Sequence, residues 1–204
     1  MIKKIVIIGS GSFANYLKNS LKSFNRNYKF YGFLSKEKGK FIYNNKDIPK
    51  LKKIKNLYFV NGIGNFSNKS YPNIFKKLIS QNIKFINLIH KSSSISNKVK
   101  FGKGLVITEN VLIKSDVTIG NFCLINSNSI ISHDTKINSF CNVSLGVKIA
   151  GNCTIGENSL LGMGSIILNN IKIGKNVLVG AGTVVSKNLP NNSKIIGNDI
   201  KKRK

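Results

Sequence analysis

The sequence predicts two architectures in one chain: a small Rossmann-like α/β unit over 1–88, then an all-β parallel coil of stacked triangular turns over 89–190, with a tail at 191–204. The coil rests on two observations. Every sixth residue from Ile89 to Val185 is aliphatic or Phe without a slip, and a second column four residues later (Val111, Val117, Cys123, Ser129, Thr135 and onward) is mostly small or β-branched. With 41% hydrophobic residues in the chain, such a run arises by chance about once in a million. The α/β unit rests on a third observation, an apolar run that ends in Gly9-Ser10-Gly11-Ser12 and opens into a helical pattern.

In chain order, Lys3 to Ile8 reads as a strand, and Phe13, Leu17, Leu21 and Phe24 fall at helical spacing across Asn15 to Phe24. Strand, glycine turn and helix aim backbone N–H groups at a phosphate, although a purely structural tight turn has the same pattern. Phe30 to Leu34 is the next strand, and a dinucleotide site would place an acid at its end. Ser35 and Lys36 stand there instead, which argues against a redox dinucleotide. Leu57 to Val60 is a third strand, followed by the loop Gly62-Ile63-Gly64-Asn65 at the end where ligands bind in open α/β sheets. Ile74 to Ser80 reads as a helix and Lys84 to Ile89 as the strand leading into the coil. A unit this small suits one nucleotide better than two.

In the coil, a six-residue period matches neither an amphipathic helix nor an alternating strand; it suits one side of a coil of about 18 residues. Positions i and i+4 of an extended chain point the same way, so both columns line the interior. Gly102, Gly120, Gly156, Gly162, Gly174 and Gly180 directly follow anchors, where bending at a corner is expected. A single coil cannot bury its own inner face, so stability comes from stacking.

Composition narrows the function. No apolar run approaches the ~18 residues of a membrane span, and Met1 to Ile8 is too short for a secretory signal, so the cytoplasm is expected. All three cysteines, Cys123, Cys141 and Cys153, fall in the small inward column and read as buried free thiols. The net charge of +26 invites nucleic acid, but lysine is scattered and arginine occurs only at Arg26 and Arg203, so no nucleic-acid partner is expected. The Lys201 to Lys204 run reads as a frayed, solvated end.

Chemistry has few places to sit. Of the two histidines, His133 follows the inward Ile131 and precedes Asp134, the coil's one His-Asp pair. A general base needs a carboxylate to orient it, yet neighbours in a strand point apart, so Asp134 reaches His133 only if the chain bends there. His90 reads as a junction residue. Two histidines cannot build a three-histidine zinc site, and no metal is expected.

With Ile7-Ile8-Gly9-Ser10-Gly11-Ser12, Gly62-Ile63-Gly64-Asn65, Asn87-Leu88-Ile89-His90-Lys91-Ser92, Ile131-Ser132-His133-Asp134 and Ala150-Gly151-Asn152 in view, the chain resembles the hexapeptide-repeat bacterial sugar acyltransferases. Its nearest likeness is to the group of UDP-4-amino-sugar N-acetyltransferases and sialic acid O-acetyltransferases. The resemblance implies a left-handed parallel β-helix, a homotrimer, and acetyl-CoA as co-substrate in a groove between coils, with surface-glycan synthesis as the setting. It implies His133 as catalytic base and Asp134 as its supporting carboxylate. It places Asn142, Gly151, Gly162 and Gly180 along acetyl-CoA, with the Gly151 amide toward the thioester oxygen. It gives Asn126 to the sugar, and Gly9, Ser10, Gly11, Ser12, Gly64 and Asn65, with Ser35 and Lys36 at the end of the second strand, to the nucleotide part of the substrate. Departures from the family pattern are Ser35 and Lys36 where acids hold uridine, Asn142 where a second histidine is common, and Asp199 where a closing proline is usual. Acceptor atom, sugar and acyl group stay open, and the alternative is a non-catalytic sugar-nucleotide-binding or scaffold protein that keeps the coil for assembly.

Overall fold

The computed structural model describes the chain except residues 38, 40, 65–70, 198 and 203–204, and without the side chains of 199–202. It separates into two compact units, Met1–Lys91 and Ser92–Lys204. The boundary falls three residues beyond the one read from the sequence. Among the described residues no helix is long and apolar enough to cross a membrane.

The first unit is a parallel sheet in the order β3-β2-β1-β4, made of β1 (Lys3–Ile8), β2 (Tyr28–Leu34), β3 (Ile42–Tyr43) and β4 (Leu57–Asn61). Ile5, Val6, Ile7 and Ile8 of the central β1 are all buried, as expected of a parallel strand covered on both faces. Helix α1 (Ser12–Phe24) buries Ala14, Leu17, Leu21 and Phe24, the stripe expected from the sequence. Helix α2 (Ile48–Lys52) and β3 were not foreseen: both are short and lack a clear period. Helix α3 (Tyr71–Ile79) starts three residues before its sequence signal, with Pro72 in its first turn, where a missing N–H costs nothing. The expected strand at 84–89 is reduced to a bridge from Phe85 to Phe59 and a two-residue strand at Leu88–Ile89.

The second unit is a left-handed parallel β-helix. Two-residue strands stack on three faces, each pairing in parallel with the strand one coil on. The first face runs from Val106–Ile107 through Leu124–Ile125, Asn142–Val143 and Leu160–Leu161 to Leu178–Val179. The second runs from Ser94–Ile95 through Ile130–Ile131 to Val184–Val185, and the third from Lys100–Phe101 to Lys172–Ile173. The anchors Ile107 to Val185 are buried, each worth about 1.5–3 kcal/mol of hydrophobic transfer.

Two expectations need correction. The corners do not bend at the glycines directly after the anchors. Positive φ falls two residues later, on Asn110, Asp116, Asn128, Asp134, Gly146, Asn152 and their successors, mostly residue types that tolerate the left-handed region, with Phe122 and Phe140 as exceptions in the same column. The glycines after the anchors answer to close approach instead: a Cβ on Gly156 would lie 2.3 Å from the Gly174 carbonyl carbon one coil on. The end of the chain is also more than a tail, since Ser193–Ile196 continues the first face in parallel with Leu178–Val179 and pairs antiparallel with Asp199–Lys202. Lys201 and Lys202 therefore stand in a strand rather than a frayed end, while Arg203 and Lys204 lie outside the described residues.

Candidate active site

His133 and Asp134 occupy a corner between the second and third faces. Asp134 has φ +56°, and this bend supplies what an extended strand denies. The Asp134 carboxylate turns back to His133, with Oδ2 2.8 Å from Nδ1. Backbone bonds fix the corner from both sides: the Asp134 N–H donates to the Ser115 carbonyl at 3.2 Å, and the His133 carbonyl accepts from Asn152 N–H at 3.0 Å. A carboxylate on Nδ1 sets the tautomer and leaves Nε2 as the nitrogen that can take a proton. Both side chains are more than half exposed, at 54% and 60%.

Gly151, one coil on at the same corner, lies beneath the imidazole. A Cβ there would come within 2.7 Å of both Cε1 and Nε2, so glycine is what lets the ring lie over the backbone. The Gly151 carbonyl accepts from Asn170 N–H, and its own N–H makes no hydrogen bond among the described residues. His133, Asp134 and Gly151 thus form one group.

The other coil residues divide differently. Asn126 Nδ2 donates to Asn142 Oδ1 at 3.4 Å, and Asn142 is buried. Asn126, Gly162 and Gly180 stack as one column on the edge between the first and second faces, each continuing the backbone ladder. Gly162 is needed for stacking, because a Cβ would lie 2.6 Å from the Ala181 nitrogen. Roughly five extended residues separate this edge from the His133 corner, or about 15 Å. One chain does not bring Asn126 and His133 together. His90 packs edge-on against Phe24 within the first unit, ring centres 5.1 Å apart.

In the first unit a cavity of about 820 Å³ opens at the carboxyl ends of β1 and β2. Gly9, Ser35 and Lys36 line it, as the sequence suggested, together with Glu37, Asn44, Lys46, Ile63, Ile74 and Lys77. Gly9 has φ +97°, a conformation that favours glycine. Ser10 reaches the wall through hydrogen bonds, 2.8 Å to Ser35 Oγ and 2.5 Å as donor to Glu37 Oε2. An acid thus does stand in the cavity wall, at Glu37, three residues beyond the end of β2. Gly11 is the N-cap of α1 and Ser12 its first residue, and neither lines the cavity. Gly64 packs on Phe13, where a Cβ would lie 2.8 Å away. Asn65 lies outside the described residues.

The cysteines are free and buried, donating to the carbonyls of Asn138, Gly156 and Leu168 at 3.0–3.1 Å. Burial, and the neighbouring Cys141, push the Cys123 thiol well up from its ordinary value; burial also raises Cys153.

The family described as bacterial transferase hexapeptide (six repeats) matches residues 152–187. Those residues carry the hexapeptide pattern of that family. No curated protein sequence gives a significant match. Solved structures do. A mutant perosamine N-acetyltransferase from Caulobacter crescentus, in complex with CoA and GDP-perosamine, superposes with a TM-score of 0.90 at 25% identity, covering 98% of each chain. The acetyltransferase domain of PglB from Neisseria gonorrhoeae, in complex with acetyl coenzyme A, superposes at 0.86 with 21% identity, covering 98% of this chain and 99% of that one. WeeI from Acinetobacter baumannii gives 0.81 at 20% identity with the same coverage. The last two speak to the fold alone. The hexapeptide-repeat fold, with its small α/β unit in front, therefore runs through the whole chain.

Proposed function

We propose that the protein transfers the acetyl group of acetyl-CoA to an amino or hydroxyl group of a nucleotide-activated sugar. The observation that carries this reading is the His133–Asp134 pair laid over Gly151, on a fold shared end to end with a perosamine N-acetyltransferase crystallised with CoA and GDP-perosamine. Nε2 of His133 takes a proton from the acceptor as it attacks the thioester carbonyl, and Asp134 steadies the resulting imidazolium. The Gly151 N–H, which makes no hydrogen bond among the described residues, stabilises the developing oxyanion in this reading. Collapse of the tetrahedral intermediate expels the CoA thiolate, which takes the proton back from His133. No enzyme nucleophile is needed, in keeping with cysteines that are all buried.

The cavity beside Gly9 suits the nucleotide: Lys36, Lys46 and Lys77 offer charge to phosphates, and Glu37, tethered by Ser10, offers an acceptor to hydroxyls. The coil suits assembly into a homotrimer. Its third face points Lys100, Thr118, Lys136, Thr154 and Lys172 outward, whereas the second points out Leu112, Ile130, Ile166 and Val184, with Ser94 and Lys148 the polar members of that column, next to exposed Leu145 and Met163 on the edge. Packing that edge on another copy would cover the apolar surface and bring an Asn126 to a neighbour's His133. Acetyl-CoA and activated sugars for surface glycans are cytoplasmic metabolites, which is where this activity belongs.

The test is a screen of sugar nucleotides with acetyl-CoA, following thiol release, alongside calorimetry of acetyl-CoA. Thiol release that depends on one class of sugar, with saturable acetyl-CoA binding, is expected. Sugar-nucleotide binding with no acetyl-CoA binding would instead establish the non-catalytic scaffold.

A further inference from the structure

The cavity of the first unit takes its walls from separate elements, and one buried side chain reaches two of them. Ile63 supplies a wall from the loop after β4, while Asn73, Ile74, Lys77 and Leu78 supply another from α3. Asn61 is the last residue of β4 and has no exposed surface. The strand otherwise buries Leu57, Phe59 and Val60, the apolar run expected of a covered parallel strand, so a carboxamide at its end is a departure. Burial of such a group is costly unless its hydrogen bonds are made.

Both ends of the Asn61 side chain are used. Oδ1 accepts from the Ile63 N–H at 3.0 Å, and Nδ2 donates to the Tyr71 hydroxyl oxygen at 2.7 Å. The first bond fixes the second: an N–H only donates, so the amide oxygen faces Ile63 and the amide nitrogen faces Tyr71. Just before this point the backbone is held by the sheet. The Gly62 N–H donates to the Ile8 carbonyl at 2.9 Å, and a Cβ on Gly62 would run into Ile7, the Ile8 carbonyl and Ala14. Ile63 comes next, with its side chain against the glycine turn: a Cβ on Gly9 would lie 3.4 Å from Ile63 Cγ1. At the other end of the link, Tyr71 is the first residue of α3, and its buried ring packs on Phe75 with centres 4.9 Å apart.

We infer that Asn61 and Tyr71 are positioning residues for the nucleotide: by tying the Ile63 loop to the first turn of α3, they hold two walls of the cavity at a set separation before ligand arrives. The inference rests on the cavity being the nucleotide site of the proposed activity, and adds to that reading the pair that sets the site's shape. Neither side chain lines the cavity, so both act through Ile63 and α3 rather than by touching ligand. Without the link, the nucleotide has to bring the walls together itself, and its apparent affinity falls accordingly.

Calorimetry with GDP and with UDP, and with acetyl-CoA as the control ligand, tests this on the full-length protein, Tyr71→Phe, Asn61→Ala and the double variant. The parent binds at least one of the two nucleotides. Tyr71→Phe keeps the ring and removes one oxygen, and weakens that nucleotide by roughly threefold to tenfold, the range of one net hydrogen bond. Asn61→Ala also takes the acceptor from the Ile63 N–H and weakens it by about tenfold or more, while acetyl-CoA shifts less than about twofold in every variant. The double variant is no worse than Asn61→Ala, because no link is left for Tyr71→Phe to break. A pair that only stabilises the fold would lower the melting temperature and leave nucleotide affinity unchanged well below it. That result, equal weakening of acetyl-CoA, additive losses in the double variant, or a parent that binds neither nucleotide would overturn the assignment. The two readings fail separately. Variants that bind nucleotide like a parent that releases thiol from acetyl-CoA would refute this role alone, and a parent whose nucleotide binding depends on the pair yet releases no thiol would refute acetyl transfer alone.

Discussion

In the coil every corner is built many times over, whereas in the α/β unit each turn is built once. Repetition provides an internal standard. The column that holds His133 reads Ser115, His133, Gly151 and Asn169 on successive coils, so an imidazole over a glycine departs from neighbours that do the same structural job. The α/β unit offers no such standard. There, Gly64, which the resemblance gives to the nucleotide, packs closely on Phe13, and Glu37, which the sequence does not single out, lines the cavity. Function is easier to separate from architecture where the architecture repeats.

Beyond the base itself, the largest effect expected from breaking this contrast is at Gly151. Gly151→Ala forces the imidazole off its seat, and displacement of about 1 Å costs roughly 100-fold in kcat. The equivalent change one coil down, Ser115→Ala, removes no contact with the ring and should leave kcat within about twofold; similar losses at both positions would mean the corner is merely structural.

In the α/β unit, Ser10→Ala releases Glu37 from a 2.5 Å hydrogen bond and should raise the KM for the sugar nucleotide about tenfold, with the KM for acetyl-CoA unchanged. A matching rise in both constants would remove the division of labour between the two units. The smallest effect is on stability. The Cys123 thiol has its folded pKa raised above the ordinary 9.0, so the unfolded chain loses its proton first as pH rises. Its contribution is fully present below the ordinary thiol value and declines progressively as pH rises from there toward the higher folded value. Thermal melts of the parent and Cys123→Ser from pH 7 to pH 10 should show a steeper alkaline decline in the parent; parallel curves would contradict it.

The six-residue period made the coil legible because each anchor repeats one physical demand, an inward apolar side chain. The corner chemistry was misjudged because glycine serves two purposes, positive φ and close approach, and spacing alone does not separate them: Gly146 serves the first and Gly156 the second. His133 and Asp134 were visible as a pair, but their contact depends on a φ of +56° at Asp134 that only neighbouring coils reveal as a rule of the corner. Helix α2 and β3 escaped because elements of five and two residues are shorter than any period that could announce them. Glu37 escaped because its role is set by a loop that folds back to Ser10.

The account depends on one imidazole acting as the base for acetyl transfer. Thiol release measured side by side for the parent and His133→Ala, at saturating acetyl-CoA and sugar nucleotide, addresses it most directly. The expected result is a fall of about two to four orders of magnitude in kcat with the fold intact by circular dichroism. A His133→Ala protein that turns over as fast as the parent would contradict it.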